Sequence, residues 1–281
     1  MRAAAWAGAG LFLASLVYFA WFYLVLLGRP VAVPADRVPA ALALNISLFT
    51  VFALHHSLFA RSGVKALMKR IVPPALERVA YVWLASLLLF ALCWLWQPLP
   101  GTAWQAPSAL GWLLHALQFA GLLLTLKSAS RIDIWELAGV KPAHSAVSST
   151  RPAQHGATPA SSAPSAALAA SAPSAASAAS AASAAVAASA ASAPSAASAA
   201  PSALEVGGPY RWLRHPIYFG WVLFVFGAPA MTSGRLLFAS LSTLYLVVAI
   251  PLEERGLRAE FGQAYVDYQR KVRWRLVPGL W

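Results

Sequence analysis

Apolar residues come in long blocks along this chain, and polar residues gather between the blocks. A membrane-crossing helix needs about 20 mostly apolar residues. Four blocks have that length: residues 8–27, 42–60, 79–97 and 108–126. A fifth apolar region, 216–252, is too long for one crossing and is interrupted by APAMTSG at 228–234, with Pro229 and Gly234 inside it. That interruption predicts two short helices in a hairpin, ending at Glu253 and Glu254. Beyond the glutamates, Leu257, Phe261, Tyr265 and Tyr268 share one side of a predicted amphipathic helix. The expected fold class is all-α: a polytopic membrane helix bundle of four spans, a C-terminal helical hairpin and an amphipathic tail helix. The first block is expected to be a retained helix rather than a cleaved leader, because only Arg2 precedes it and GRPVAVP after it is a poor cleavage site.

Composition agrees with the membrane reading. The 281 residues are 59% hydrophobic and only 11% charged, against about 25% charged in soluble domains. A net charge of +12 could point to nucleic acid, but the basic residues alternate with the apolar blocks, which points to a membrane surface with anionic lipid instead. Of the 21 lysines and arginines, 17 fall in the 61–78 loop, the 127–215 segment and the tail from 252. The loops 28–41 and 98–107 hold only Arg29 and Arg37, and the hairpin tip adds Arg235. Basic loops stay on the cytoplasmic side, so both termini and the polar machinery are expected there, in a bacterial inner membrane. Membrane lipids are the expected neighbours, with no nucleic acid and no obligate protein partner. The single Cys93 excludes an internal disulfide or a zinc site built on several thiolates, and no metal is expected.

The organisation expected along the chain is membrane helices over 1–142, an insert over 143–204 and a C-terminal core over 205–281. Residues 157–203 are almost entirely Ala, Ser and Pro, and no charge occurs from Pro152 to Leu204. Recurrent serine and proline oppose the helix that alanine alone would form, and no apolar face exists to bury. The insert is expected to be a disordered or weakly helical cytoplasmic linker.

Ionisable residues near membrane blocks are functional candidates by default. ALHHSLFAR (53–61) places His55, His56 and Arg61 at the end of the second block. The adjacent histidines point about 100° apart on a helix, so a haem or metal would need a further partner, and His115 lies on the fourth block. SRIDIWELAGVKP (130–142) sets Asp133 and Glu136 on one helix face. It could orient a cationic ligand or be an ordinary interfacial helix. GPYRWLRHPIYFGW (208–221) and the Glu253–Glu254 pair enclose the predicted hairpin, so its topology brings arginines, a histidine and two carboxylates together at the mouth of the bundle.

PYRWLRHPIYFGW followed by EERGLRAEFGQAYVDYQRKV resembles the isoprenylcysteine carboxyl methyltransferase and phospholipid methyltransferase superfamily of integral membrane enzymes. HHSLFARSGVK, the VPPALERVAYVWL block and RIDIWELAG look like its methanethiol S-methyltransferase branch, which shares its N-terminal half with NnrU-type proteins. The chain departs from the pattern at Gly256, where family members usually carry Asp, and in the length of the insert.

The resemblance implies S-adenosylmethionine as cofactor and a small thiol or lipid-like methyl acceptor, with methanethiol leading. A prenylated cysteine, isoprenoid or phospholipid acceptor is the alternative within the class. A haem-binding or accessory NnrU-type protein is the alternative outside it. The implied cofactor site comprises His215, Pro216, Tyr218, Gly220, Glu253, Glu254 and Arg211. Arg214, Tyr210, His56 and Arg61 are the implied catalytic residues, with Arg214 and Arg211 also suited to hold the cofactor's carboxylate or orient the glutamates.

Overall fold

The structure, a computed structural model, describes residues 2–59, 74–131 and 204–281. Arg61, the Asp133 and Glu136 segment and nearly all of the 143–204 insert lie outside the described residues. Helix α1 (Arg2–Trp21) continues as one π-helical turn over Phe22–Leu26. A 3₁₀ turn at Ala35–Arg37 leads into α2 (Val38–Phe59), followed by α3 (Pro74–Leu95) and α4 (Ser108–Ala129). After the insert come α5 (Pro216–Phe226), α6 (Ser233–Phe261) and α7 (Gln263–Lys271). Among the described residues, Trp6–Leu26, Ala35–His55, Ser108–Ala129 and Ser233–Phe261 are long and apolar enough to cross a membrane, and Val79–Leu95 and Pro216–Phe226 are shorter apolar helices. The chain is therefore a helical membrane protein.

Buried aromatic rings lock the bundle at its centre. The Phe238 ring of α6 meets Phe19 of α1, Phe22 and Tyr23 of its π turn, Phe49 of α2, Trp96 just beyond α3 and Trp221 of α5, at centroid separations of 5.5–6.4 Å. Edge and tilted contacts of this kind each add about 0.5–1.5 kcal/mol beyond burial. Without water in lipid there is little hydrophobic drive between helices, so this close packing carries much of the association.

The C-terminal hairpin differs from expectation. Its arms are unequal: α5 has 11 residues and α6 has 29. Helix α6 runs straight through Pro251 and both glutamates to Phe261, so Glu253 and Glu254 sit inside a helix rather than at its end. The break comes at Gly262, whose φ of +54° suits a residue without Cβ. The predicted amphipathic side survives across that break, since Leu257 and Phe261 of α6 cluster with Tyr265, Tyr268 and Val272.

Helix α5 leans chiefly on α4 rather than on α6. A Cβ on Gly220 would come within 2.6 Å of the Gly121 oxygen, and one on Gly227 within 2.7 Å of the Gln118 nitrogen. Glycine at these positions lets two backbones approach, and the Gln118 side-chain amide donates to Phe224 O at 3.0 Å across the seam.

A two-stranded sheet, which the apolar pattern did not announce, ties the far ends together. β1 (Thr102–Gln105) pairs antiparallel with β2 (Ala230–Thr232), with Thr102 opposite Thr232, Gln105 opposite Ala230 and an irregularity between Thr102 and Trp104. Arg235, expected as a loop cation, is buried in the first turn of α6. It donates from Nε to Tyr23 O (3.1 Å), from Nη2 to Leu24 O (2.8 Å) and from Nη1 to Ala230 O (2.7 Å). A cation there meets the negative end of α1 and satisfies carbonyls in its π turn.

Candidate active site

At the opposite end of α5 and α6 from this sheet, the polar residues converge. Gly208–Arg211 form a 3₁₀ turn started by Pro209. The next backbone is held by the tail: Arg214 N donates to Trp274 O (2.9 Å) and His215 N to Arg275 O (3.0 Å). Pro216 is the first residue of α5, where its missing N–H costs nothing and its fixed φ starts the helix. Proline thus aims His215 and Tyr218 towards α6.

Glu254 lies at the centre. Its Oε1 is 2.8 Å from Arg214 Nε and 3.5 Å from His215 Nε2, and its Oε2 is 3.3 Å from Arg275 Nε. Its side chain is 3% exposed, against 17% for Glu253. A carboxylate this deep needs such partners, because an isolated buried charge costs several kcal/mol. Arg214 also donates from Nη1 to Val272 O at 3.2 Å. One glutamate therefore fastens three chain segments: α6, the 214–215 turn and the tail.

Glu253 faces a different set. Tyr218 donates its hydroxyl to Glu253 Oε2 at 2.7 Å, and His215 Nδ1 is 3.6 Å from the same oxygen. The His215 and Tyr218 rings stack at 5.3 Å with 4° between their planes. Together they form an aromatic wall beside the more exposed carboxylate. Tyr268 closes the floor, donating its hydroxyl to Tyr210 O at 2.7 Å. Burial first, then the charge of Glu253, pushes the Tyr210 hydroxyl far above its ordinary value. It therefore stays protonated at neutral pH and keeps a proton to donate.

The sequence-predicted residues divide. Arg214, His215, Pro216, Tyr218, Glu253 and Glu254 come together, with Tyr210 beside them. Arg211 is exposed, its guanidinium 5.8 Å over the Trp212 ring, so Arg214 and Arg275 rather than Arg211 hold Glu254. Gly220 is buried against α4, so the close approach it permits is between helices. His56 lies on the last turns of α2 with its side chain outside the described residues. His55 is buried and stacks on Tyr81 at 5.4 Å, and His115 is exposed on α4. Among the described residues no group of three His, Cys, Asp or Glu could hold a metal. Arg275 was missed, and the basic RKVRWR run that ends the tail helix and continues past it was the signal.

Charged groups enclosed at one end of an apolar bundle define a polytopic membrane protein with an enzyme-like polar site. Over 240 residues the chain is 31% identical to methanethiol S-methyltransferase 2 of Bradyrhizobium diazoefficiens, covering 85% of this chain and 74% of that protein. It is 32% identical over 248 residues to methanethiol S-methyltransferase of Pseudomonas deceptionensis, covering 88% and 76%. A shorter match, 35% over 73 residues and about a quarter of each chain, is to protein-S-isoprenylcysteine O-methyltransferase of Tribolium castaneum. No family model and no solved structure matches the chain. The chain belongs to the methanethiol S-methyltransferase family.

Proposed function

We propose that the chain transfers a methyl group from S-adenosylmethionine to methanethiol, giving dimethyl sulfide, at the end of the bundle where α5, α6 and the tail meet. The observation that carries this reading is the pair of adjacent carboxylates with unlike surroundings. Glu254 is consumed in fastening three segments. Glu253 is more exposed and sits against the stacked His215 and Tyr218 rings.

The donor set fits this cofactor. A carboxylate suits its amino or ribose hydroxyl groups, aromatic faces suit a sulfonium, and Arg275, a third exposed, suits its carboxylate. When bound, S-adenosylmethionine supplies an electrophilic methyl on a positively charged sulfur. Glu253, Tyr218 and Tyr210 would hold the cofactor beside the acceptor, and such positioning supplies much of the acceleration in a two-reactant step. The reactive acceptor is a thiolate, so the thiol proton must leave to solvent before transfer; a cysteine thiol has a pKa of about 8.5, and a simple alkanethiol lies higher. Arg214 and Arg275 offset the two glutamates, so an approaching thiolate meets no net negative field. Transfer from a sulfonium to a thiolate would neutralise charge, so the apolar surroundings that α5 and α6 provide would favour it more than water does. The membrane setting suits an apolar acceptor, and the excess of Lys and Arg in the segments at this end supports a cytoplasmic location for it.

The test is to supply membranes containing the protein with methyl-labelled S-adenosylmethionine and either methanethiol, a prenylated cysteine or phospholipid vesicles. Label is expected in volatile dimethyl sulfide. Label in the lipid fraction alone would replace methanethiol with a lipid acceptor.

A further inference from the structure

A partly open apolar cavity lies within the bundle, towards the middle from the glutamates. It is walled by α1, α2, α3, α5 and α6, with Leu16, Phe49, Ala85, Trp221, Tyr245 and Leu246 among its lining, and it encloses about 40 Å³ in which the centre of a water-sized sphere fits. Trp221 lies three residues along α5 from Tyr218, less than one turn. Tyr245 precedes Glu253 by eight residues on α6, a rise of about 12 Å. The cavity and the polar site therefore share two helices.

Three serines reach this space, and each is already engaged with nearby groups. Ser15 donates to Phe12 O (2.7 Å) and Ser86 to Val82 O (2.7 Å). Ser242 donates to Ala239 O (3.1 Å) and accepts from Trp221 Nε1 (3.1 Å). With those protons committed, the Tyr245 hydroxyl, which accepts from Ser57 Oγ (3.4 Å), is the further polar group on this wall, so a water, which needs two to four partners, finds few. It suits a small molecule with weak hydrogen-bonding needs. A water needs about 10–15 Å³ of such space, so a molecule of two or three heavy atoms fits, whereas an isoprenyl or acyl chain does not.

We propose that this cavity is a binding site for small apolar thiols and thioethers, holding the acceptor or its methylated product and limiting acceptor length. The proposal rests on the methyl-transfer reading for its role in turnover, but the binding itself can be measured separately. The experiment uses the full chain in detergent, with two variants of opposite effect: Ala85→Leu to fill the cavity and Leu246→Ala to enlarge it. Binding of labelled S-adenosylmethionine first confirms that each variant is folded.

Saturation-transfer NMR with dimethyl sulfide is expected to show saturable binding to wild type that Ala85→Leu loses. Ala85→Leu is expected to raise the KM for methanethiol about tenfold, and Leu246→Ala to raise turnover of propanethiol relative to methanethiol about tenfold. Equal dimethyl sulfide signals in wild type and Ala85→Leu overturn the cavity proposal. So does an unchanged acceptor-length profile in both variants. Absence of turnover with any thiol counts against the methyl-transfer reading, while the NMR comparison still decides the cavity.

Discussion

Replacing Glu254 with glutamine keeps its shape and removes its charge. In the wild type the carboxylate meets Arg214 at 2.8 Å, Arg275 at 3.3 Å and His215 at 3.5 Å, nearly all of it away from solvent. Removing one partner of a buried pair typically costs about 3–5 kcal/mol, because the partner charge is stranded. Arg275 is a third exposed and recovers some hydration, so the lower end, about 3 kcal/mol, is expected. For chains of this size each kcal/mol moves Tm by about 2–4 °C, so Glu254→Gln should lower Tm by roughly 6–12 °C. Glu253→Gln keeps an oxygen for the Tyr218 hydroxyl and strands no buried arginine, so its Tm should stay within about 2 °C. Its affinity for S-adenosylmethionine should fall about 10- to 100-fold, the weight of a charged hydrogen bond. Thermal unfolding in detergent and equilibrium binding of labelled cofactor measure both quantities on the same samples. A stable Glu254→Gln protein alongside a destabilised Glu253→Gln protein would refute the division of labour between the two carboxylates.

Gly220→Ala should force α4 and α5 apart, because the new methyl meets the Gly121 carbonyl at 2.6 Å. A Tm drop matching about 1–3 kcal/mol is expected, with Gly256→Ala as a contrasting control. A Cβ at Gly256 meets open space, and alanine there should stabilise α6 by about 0.5–1 kcal/mol with unchanged turnover. Burial raises the Tyr268 hydroxyl above its ordinary value, the charges of Glu254 and Glu205 add to this, and Arg214 opposes it. A raised folded value means that the contribution is whole below the unfolded pKa of about 10 and is lost as pH rises above it. Unfolding followed from pH 7 to 11 should therefore show stability falling above about pH 10. Tyr268→Phe should lose about 1 kcal/mol at neutral pH and show a shallower alkaline decline.

Apolar block length located the helices because a span must be continuous and long, which a one-dimensional pattern records directly. The hairpin was harder to read. Pro251 and two glutamates resemble a helix end, yet LEERGLRAEF continues with good helix formers, apart from Gly256, until Gly262. The sheet between Thr102–Gln105 and Ala230–Thr232 joins segments far apart in the chain, and three or four residues carry no periodicity of their own. At the site, the convergence of His215 and the glutamates was legible because the hairpin returns the chain to where it left. The partner of Gly220 was not legible, since a glycine's spacing does not say which helix comes close. Arg275 looked like one more surface cation until the tail's backbone was seen paired with Arg214 and His215.

The most direct test of the central claim is transfer of label from methyl-labelled S-adenosylmethionine to methanethiol, comparing wild type with Glu253→Ala and with the Glu253→Ala, Glu254→Ala double variant. Headspace dimethyl sulfide carrying the label is expected from wild type, with a loss of at least 100-fold in both variants. No labelled dimethyl sulfide from folded wild type, or wild-type yield from the double variant, would contradict the account.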